Sequence, residues 1–208
     1  MQFKVCGITD ITQAQSLEAM GVEYIGFIFY PASKRYALEK INLCDLANFK
    51  PAVAKKVGVF VNAQLDELLQ IVQQGGLDMV QLHGDESPDY CATVRAHVTT
   101  VKVFRVGAAV PAFAEFEQVV DYFLFDTDSA LYGGTGQHFN WELIKGSNIP
   151  KPYFLSGGIG PNDVQGIQVM EQTKAGKTLL ALDINSQFEL APGIKNLEKI
   201  KTFIDAFI

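Results

Sequence analysis

Eight short apolar runs recur along the 208-residue chain, alternating with stretches of mostly helical spacing, and this alternation limits the fold more than any other feature. The runs are Phe3–Cys6, Tyr24–Phe29, Lys56–Val61, Met79–Leu82, Val101–Phe104, Tyr122–Phe125, Tyr153–Leu155 and Leu179–Leu182. They are rich in Val, Ile, Phe and Tyr, and several are apolar at every position. Such runs suit strands covered on both faces, as in a parallel sheet. Between them, Asp10 reads as the N-cap of a helix that begins at Ile11 and stops at Gly21. Leu65, Leu68, Leu69 and Val72 form a helical stripe ending at Gly75-Gly76. Pro161 opens a helix carrying Val164, Ile167 and Val169, and Leu197, Ile200, Phe203 and Ile204 line the last one. Eight β-α units in strict order predict an α/β fold, a single-domain (β/α)8 barrel spanning residues 1–208. An open, doubly wound sheet is the competing arrangement. The chain is short for a barrel, so its connections must be brief, and Gly107–Gln118 has room for only a stub of helix.

Composition narrows the function. Residues of hydrophobic type make up 48% of the chain and charged ones 19%, which excludes long disorder. A net charge of −6 gives no global field to attract a polyanion, so no nucleic-acid partner is expected. Cys6, Cys44 and Cys91 are odd in number, with no C-x-x-C, as suits a reducing, cytoplasmic setting. The N-terminus lacks the pattern of a signal peptide, and no apolar stretch is long enough to span a membrane.

In a barrel the reactive residues should gather at the C-terminal ends of the strands. Here those ends carry Cys6, the Ser33-Lys34-Arg35 loop, His83, Arg105, Asp126, Ser156-Gly157-Gly158 and Asp183. Cys6 is either a small buried hydrophobe or a nucleophile or base, and the latter needs a lowered pKa or a nearby positive charge. Cys44 and Cys91 fall in helical patterns and read as core. Asp126 and Asp183 each close an apolar strand, where burial can prepare a general acid, though a cap or a structural ion pair fits equally. Lys34 and Arg35 read as solvated loop charges, but Arg35 offers a fork suited to a carboxylate. The glycines of Ser156-Gly157-Gly158-Ile159-Gly160-Pro161 suit an anion at a helix start, as after the seventh strand of many barrels. Gly133-Gly134-Thr135-Gly136 reads as a loop over the mouth, while His83, His97 and His138 decide nothing alone.

Together these segments resemble the phosphoribosylanthranilate isomerase family over nearly the whole chain. The resemblance runs in order through Lys4-Val5-Cys6-Gly7-Ile8-Thr9, the stretch from Gly26 to Tyr36 that ends in Ser33-Lys34-Arg35-Tyr36, and Val57–Asn62. It continues through Val80-Gln81-Leu82-His83-Gly84-Asp85-Glu86, Asp126-Thr127, the Gly133–Gly136 cluster, Phe139-Asn140-Trp141, Leu155–Gly158 and Pro192-Gly193-Ile194-Lys195. It implies an Amadori rearrangement of a phosphoribosylated anthranilate, with Cys6 as general base and Asp126 as general acid. Arg35 would hold the anthranilate carboxylate, and backbone N–H groups near Gly157, Gly158, Asn185 and Ser186 the phosphate. His83 and Asp183 match positions lining the substrate site. No metal or organic cofactor is implied, the partner is a small phosphorylated substrate, and the protein would be a monomer or homodimer. One departure stands out: Gln187 replaces a glycine in the segment Asp183–Glu189, so a positive φ there would be strained. Two rivals are a two-aspartate sugar-phosphate isomerase of the histidine pathway, against which Cys6 argues, and a barrel that binds a phosphorylated ligand without turnover.

Overall fold

The computed structural model describes residues 1–127 and 141–207. The eight runs are eight parallel strands: β1 (Gln2–Val5), β2 (Tyr24–Ile28), β3 (Lys55–Phe60), β4 (Met79–Leu82), β5 (Thr99–Val106), β6 (Tyr122–Thr127), β7 (Tyr153–Leu155) and β8 (Leu179–Ile184). Each pairs with the next, and β1 pairs with β8 from Gln2↔Ala181 to Val5↔Ile184, so the sheet closes and the open-sheet alternative is excluded. The Gly133–Gly136 cluster and His138 lie outside the described residues.

Closure divides the apolar residues into two layers, because successive side chains on a strand face opposite ways. Val57, Met79, Val101, Val103, Leu124, Phe154 and Ala181 fill the barrel interior. Phe3, Val5, Ile25, Phe27, Val80, Leu82, Phe123, Phe125 and Leu182 belong to the outer layer, beneath the helices. Parity then assigns the polar strand residues. Asp126 shares the inward face of Leu124, Asp183 that of Ala181, and Gln81 that of Met79. The apolar residues of β1 point outward, so Lys4 and Cys6 point in.

The helices are α1 (Ile11–Ala19), α2 (Leu43–Asn48), α3 (Leu65–Gly75), α4 (Pro88–Arg95), α5 (Glu142–Lys145), α6 (Val164–Glu171) and α7 (Leu197–Asp205). Asp10 caps α1 by accepting from the Thr12 amide at 2.9 Å, and Gly76 ends α3 in the left-handed conformation. Pro161 starts a single 3-10 turn that leads into α6, on which Ile167 is buried and Val169 faces solvent. Cys91 is buried beneath α4, but Cys44 is exposed, which corrects the core reading of that residue. It lies on six-residue α2, which buries only Leu46 and leaves Cys44 on its outer side. The β5–β6 connection has only a 3-10 turn at Ala114–Phe116. There Phe113 and Phe116 cover the strands in place of a helix, packing 5.4 Å from Phe123 and from Phe104 respectively.

Candidate active site

Cys6 follows β1, held by a 3.0 Å hydrogen bond from its amide to the Ile184 carbonyl. Its thiol fits because Gly26 opposes it: a Cβ on Gly26 would lie 2.9 Å from the sulfur. At Gly7, φ is +75°, and a Cβ there would lie 2.7 Å from Arg35 Cδ and 2.9 Å from Asn185 Oδ1. A glycine thus lets the loops after three strands meet around the cysteine.

Lys4 reaches Asp183 with its ammonium 2.9 and 3.0 Å from the two carboxylate oxygens, and its charge also acts on the Cys6 thiol. Burial alone would lower Lys4, but Asp183 and the cysteine sulfur raise it above its ordinary value, so it stays charged. The cysteine behaves otherwise. Burial pushes the Cys6 thiol up, against the pull of Lys4 and Lys195. The nearby positive charge expected of a working cysteine is present, whereas the lowered pKa is not, because desolvation outweighs two lysines.

Asp126 is on β6, its Oδ1 accepting from the Thr127 amide at 2.8 Å and its Oδ2 3.4 Å from His83 Nε2. His83 Nδ1 lies 2.9 Å from Gln81 Nε2. With the carboxamide donating, Nδ1 accepts and Nε2 carries the proton toward Asp126. Asp183 is coupled electrostatically to both Asp126 and His83. Cys6, Lys4, Asp183, His83 and Asp126 are therefore one electrostatic cluster.

Arg35 is engaged by a carboxylate of the chain itself. Its Nε lies 2.9 and 3.0 Å from the Glu189 oxygens, and Nη2 2.7 Å from Oε2. Lys34 beside it is exposed. Glu189 opens β9 (Glu189–Ala191), which pairs with β10 (Ile194–Lys195) in a small hairpin. Buried Lys195 donates to Glu189 Oε1 at 2.8 Å and to Asn185 Oδ1 at 2.7 Å. Burial would raise Glu189, but Arg35 and Lys195 hold it below its ordinary range.

Two loops face each other beyond β7 and β8. Gly157 and Gly158 both have positive φ, +91° and +73°, which explains why glycines occupy these positions. Ser186 opens a 3-10 turn that ends at Phe188. The backbone N–H groups of Gly157, Gly158 and Ser186 donate to no other described residue. Gln187 lies 3.6 Å from where a Cβ on Gly160 would sit, so the loops touch. Asn62 is the one non-glycine among the described residues with positive φ. The strain anticipated at Gln187 is absent because the 3-10 turn keeps its φ negative.

Every residue predicted for the site lies at the C-terminal mouth or in a loop above it. Sequence reasoning missed Lys4, Gln81, Glu189 and Lys195. The signal for two of them was parity, since Lys4 stands two residues before Cys6 and Gln81 two before His83. Among the described residues, no group of three or more His, Cys, Asp or Glu side chains is placed to hold a metal ion.

A closed parallel barrel whose mouth combines ionisable side chains with free backbone donors is the layout of a (β/α)8 enzyme acting on a small anionic substrate. The chain belongs to the N-(5'-phosphoribosyl)anthranilate isomerase family, whose model matches residues 3–206. It is 35% identical over 211 residues to the N-(5'-phosphoribosyl)anthranilate isomerase of Parabacteroides distasonis, covering 100% of this chain and 94% of that protein. Its fold superimposes on the phosphoribosyl anthranilate isomerase of Thermus thermophilus with a TM-score of 0.83 and 26% identity, covering 100% of this chain and 98% of that one. A further isomerase structure, in complex with reduced 1-(o-carboxyphenylamino)-1-deoxyribulose 5-phosphate, matches with a TM-score of 0.74 and 29% identity, covering 99% and 97%.

Proposed function

We propose that this chain converts N-(5′-phosphoribosyl)anthranilate to 1-(2-carboxyphenylamino)-1-deoxyribulose 5′-phosphate, an Amadori rearrangement of tryptophan biosynthesis, by general acid–base catalysis. The observation that carries this reading is the inward cluster joining Cys6 to Asp126 through Lys4, Asp183 and His83. Asp126 delivers a proton to the furanose ring oxygen as the ring opens to an iminium. Cys6, as thiolate, removes the C2′ proton, and the enolamine formed tautomerises to the ketone. Lys4 and Lys195 favour the thiolate against the cost of burial. The phosphate is received by the N–H groups of Gly157, Gly158 and Ser186, with Asn185 beside them. The anthranilate carboxylate meets Arg35, and His83 and Asp183 line the space between.

All of residues 1–208 act as one catalytic domain, as a monomer or homodimer in the cytoplasm, on a small phosphorylated substrate rather than a nucleic acid. No helix among the described residues is long and apolar enough to cross a membrane. The test is turnover of freshly prepared phosphoribosylanthranilate, followed by loss of its fluorescence. Binding without turnover would reduce the chain to a ligand-binding barrel. Within the same assay, Arg35→Met should raise KM about 10-fold to 100-fold and Lys34→Met should not, as expected for loss of a charge-assisted contact.

A further inference from the structure

We propose that Glu189 is the positioning residue for Arg35: it fixes the guanidinium so that only its end edge is offered to the substrate's carboxylate. This deepens the reading above and rests on Arg35 as the carboxylate-binding group. A guanidinium has two hydrogen-bonding edges, one formed by Nε with a neighbouring Nη and one formed by the two Nη atoms. Glu189 occupies the first through three contacts of 2.7–3.0 Å, and Nη1 has no hydrogen bond to a described residue. The anchor is itself immobilised. Glu189 Oε1 also accepts from Lys195 Nζ at 2.8 Å and from the Gly193 amide at 3.0 Å. Arg35 Cδ also packs close to Gly7, where a Cβ would lie 2.7 Å from it. A long, flexible side chain is thereby frozen before substrate arrives, which removes an ordering cost from binding and fixes the angle at which an aromatic carboxylate can approach.

Glu189 touches no reacting atom in this scheme, so its contribution belongs to recognition. In Glu189→Gln the amide oxygen keeps the Lys195 and Gly193 contacts and that with Arg35 Nε, but the NH2 group meets Nη2, donor against donor, which breaks the two-atom clamp on the guanidinium. The experiment measures binding of two reduced product analogues, one carrying the o-carboxyphenylamino group and one a plain phenylamino group. It compares wild type, Arg35→Met, Glu189→Gln and the double variant. Such binding requires no proton transfer and so is independent of any effect on Cys6. Arg35→Met should weaken only the carboxylated analogue, by about 10-fold to 100-fold. Glu189→Gln should weaken the same analogue about 10-fold and leave the other unchanged. The double variant should be no weaker than Arg35→Met alone, since an anchor matters only while its arginine is present.

Equal weakening of both analogues by Glu189→Gln, no weakening of either, or additive losses in the double variant would overturn the proposal while leaving the Arg35 assignment intact. Failure of Arg35→Met itself to discriminate would remove the carboxylate reading and this inference together. Glu189→Asp keeps the charge but withdraws it by one methylene. It serves the same comparison if the glutamine variant does not fold, with a several-fold selective loss expected.

Discussion

Two buried lysine–carboxylate pairs sit on opposite faces of the same sheet, and they do different jobs. Lys102 on β5 meets Glu86 at 2.7 Å, and Lys4 on β1 meets Asp183 at 2.9 Å. All four side chains are almost wholly buried. Lys102 also donates to the Gly84 carbonyl at 2.8 Å, and Glu86 accepts from the Asn62 and Gly84 amides at 2.9 and 3.0 Å. Those backbone contacts tie together the chain segments that follow β3 and β4, and Asn62 is the residue whose positive φ they hold. Lys4 and Asp183 have other neighbours: the Cys6 sulfur, His83 and Asp126, all ionisable. A buried ion pair saturated by backbone groups is scaffold, whereas one whose remaining neighbours are acids and bases sets their charge states. Strand parity decides which is which, since Lys102 has the outward parity of Phe104 and Lys4 the inward parity of Cys6.

The comparison breaks most visibly at the chemistry itself. Cys6→Ser should lower kcat by about 10²–10⁴ while substrate still binds, because a hydroxyl supplies almost no conjugate base near neutral pH. Asp126→Asn should fall within the same range, for want of a proton to give. A variant of either retaining most of wild-type kcat would refute its assignment.

Next comes the scaffold pair. Lys102→Met leaves Glu86 buried without its cation and should cost about 3–5 kcal/mol of stability, read as a lower urea midpoint. The kcat of the folded fraction should be unchanged, and a change in the pH profile would show that the two pairs are not separable.

Lys4→Met should do the converse. With its nearest cation gone, the Cys6 thiol rises further, and the limb of kcat/KM that climbs with pH moves upward. In wild type burial already raises the thiol above its ordinary value, so that limb is expected on the alkaline side. Activity near neutrality should fall about tenfold for each unit the limb moves. A limb that stayed in place would show that Lys4 does not govern the cysteine.

The smallest effect is on acid stability. Glu189 is held below its ordinary value of 4.5, so the native state favours its charged form. Its contribution is full above that value and is lost as the pH falls through the lower, folded one. Denaturation midpoints from pH 5 downward should therefore fall more steeply for wild type than for Glu189→Gln.

Much of this was legible in the residues. Runs such as Tyr122–Phe125 are apolar at every position because β6 is covered inside and out, and that pattern revealed the strands. The strand ends then located Cys6, Asp126 and Asp183. Arg35 was recognisable by its fork, but its partner was not, since Glu189 lies 154 residues away. Lys195 carried no signal of its own in the sequence, because only the hairpin folds it against Asn185 and Glu189. Cys44 misled because its α2 stretch is short, and six residues are too few for periodicity to tell the buried side from the open one.

The seam between β1 and β8 has a consequence for how this molecule comes into being. Lys4 and Asp183 are 179 residues apart, and Cys6 donates its backbone hydrogen bond to Ile184 on the far strand of the same seam. During vectorial synthesis, the first strand waits until residues 179–184 have emerged before the Asp183 partner of Lys4 exists. No partly made barrel has an assembled acid–base centre. Appearance of activity in a translation reaction therefore reports the moment of ring closure, and a chain stalled before β8 should be inert however well its earlier strands have paired.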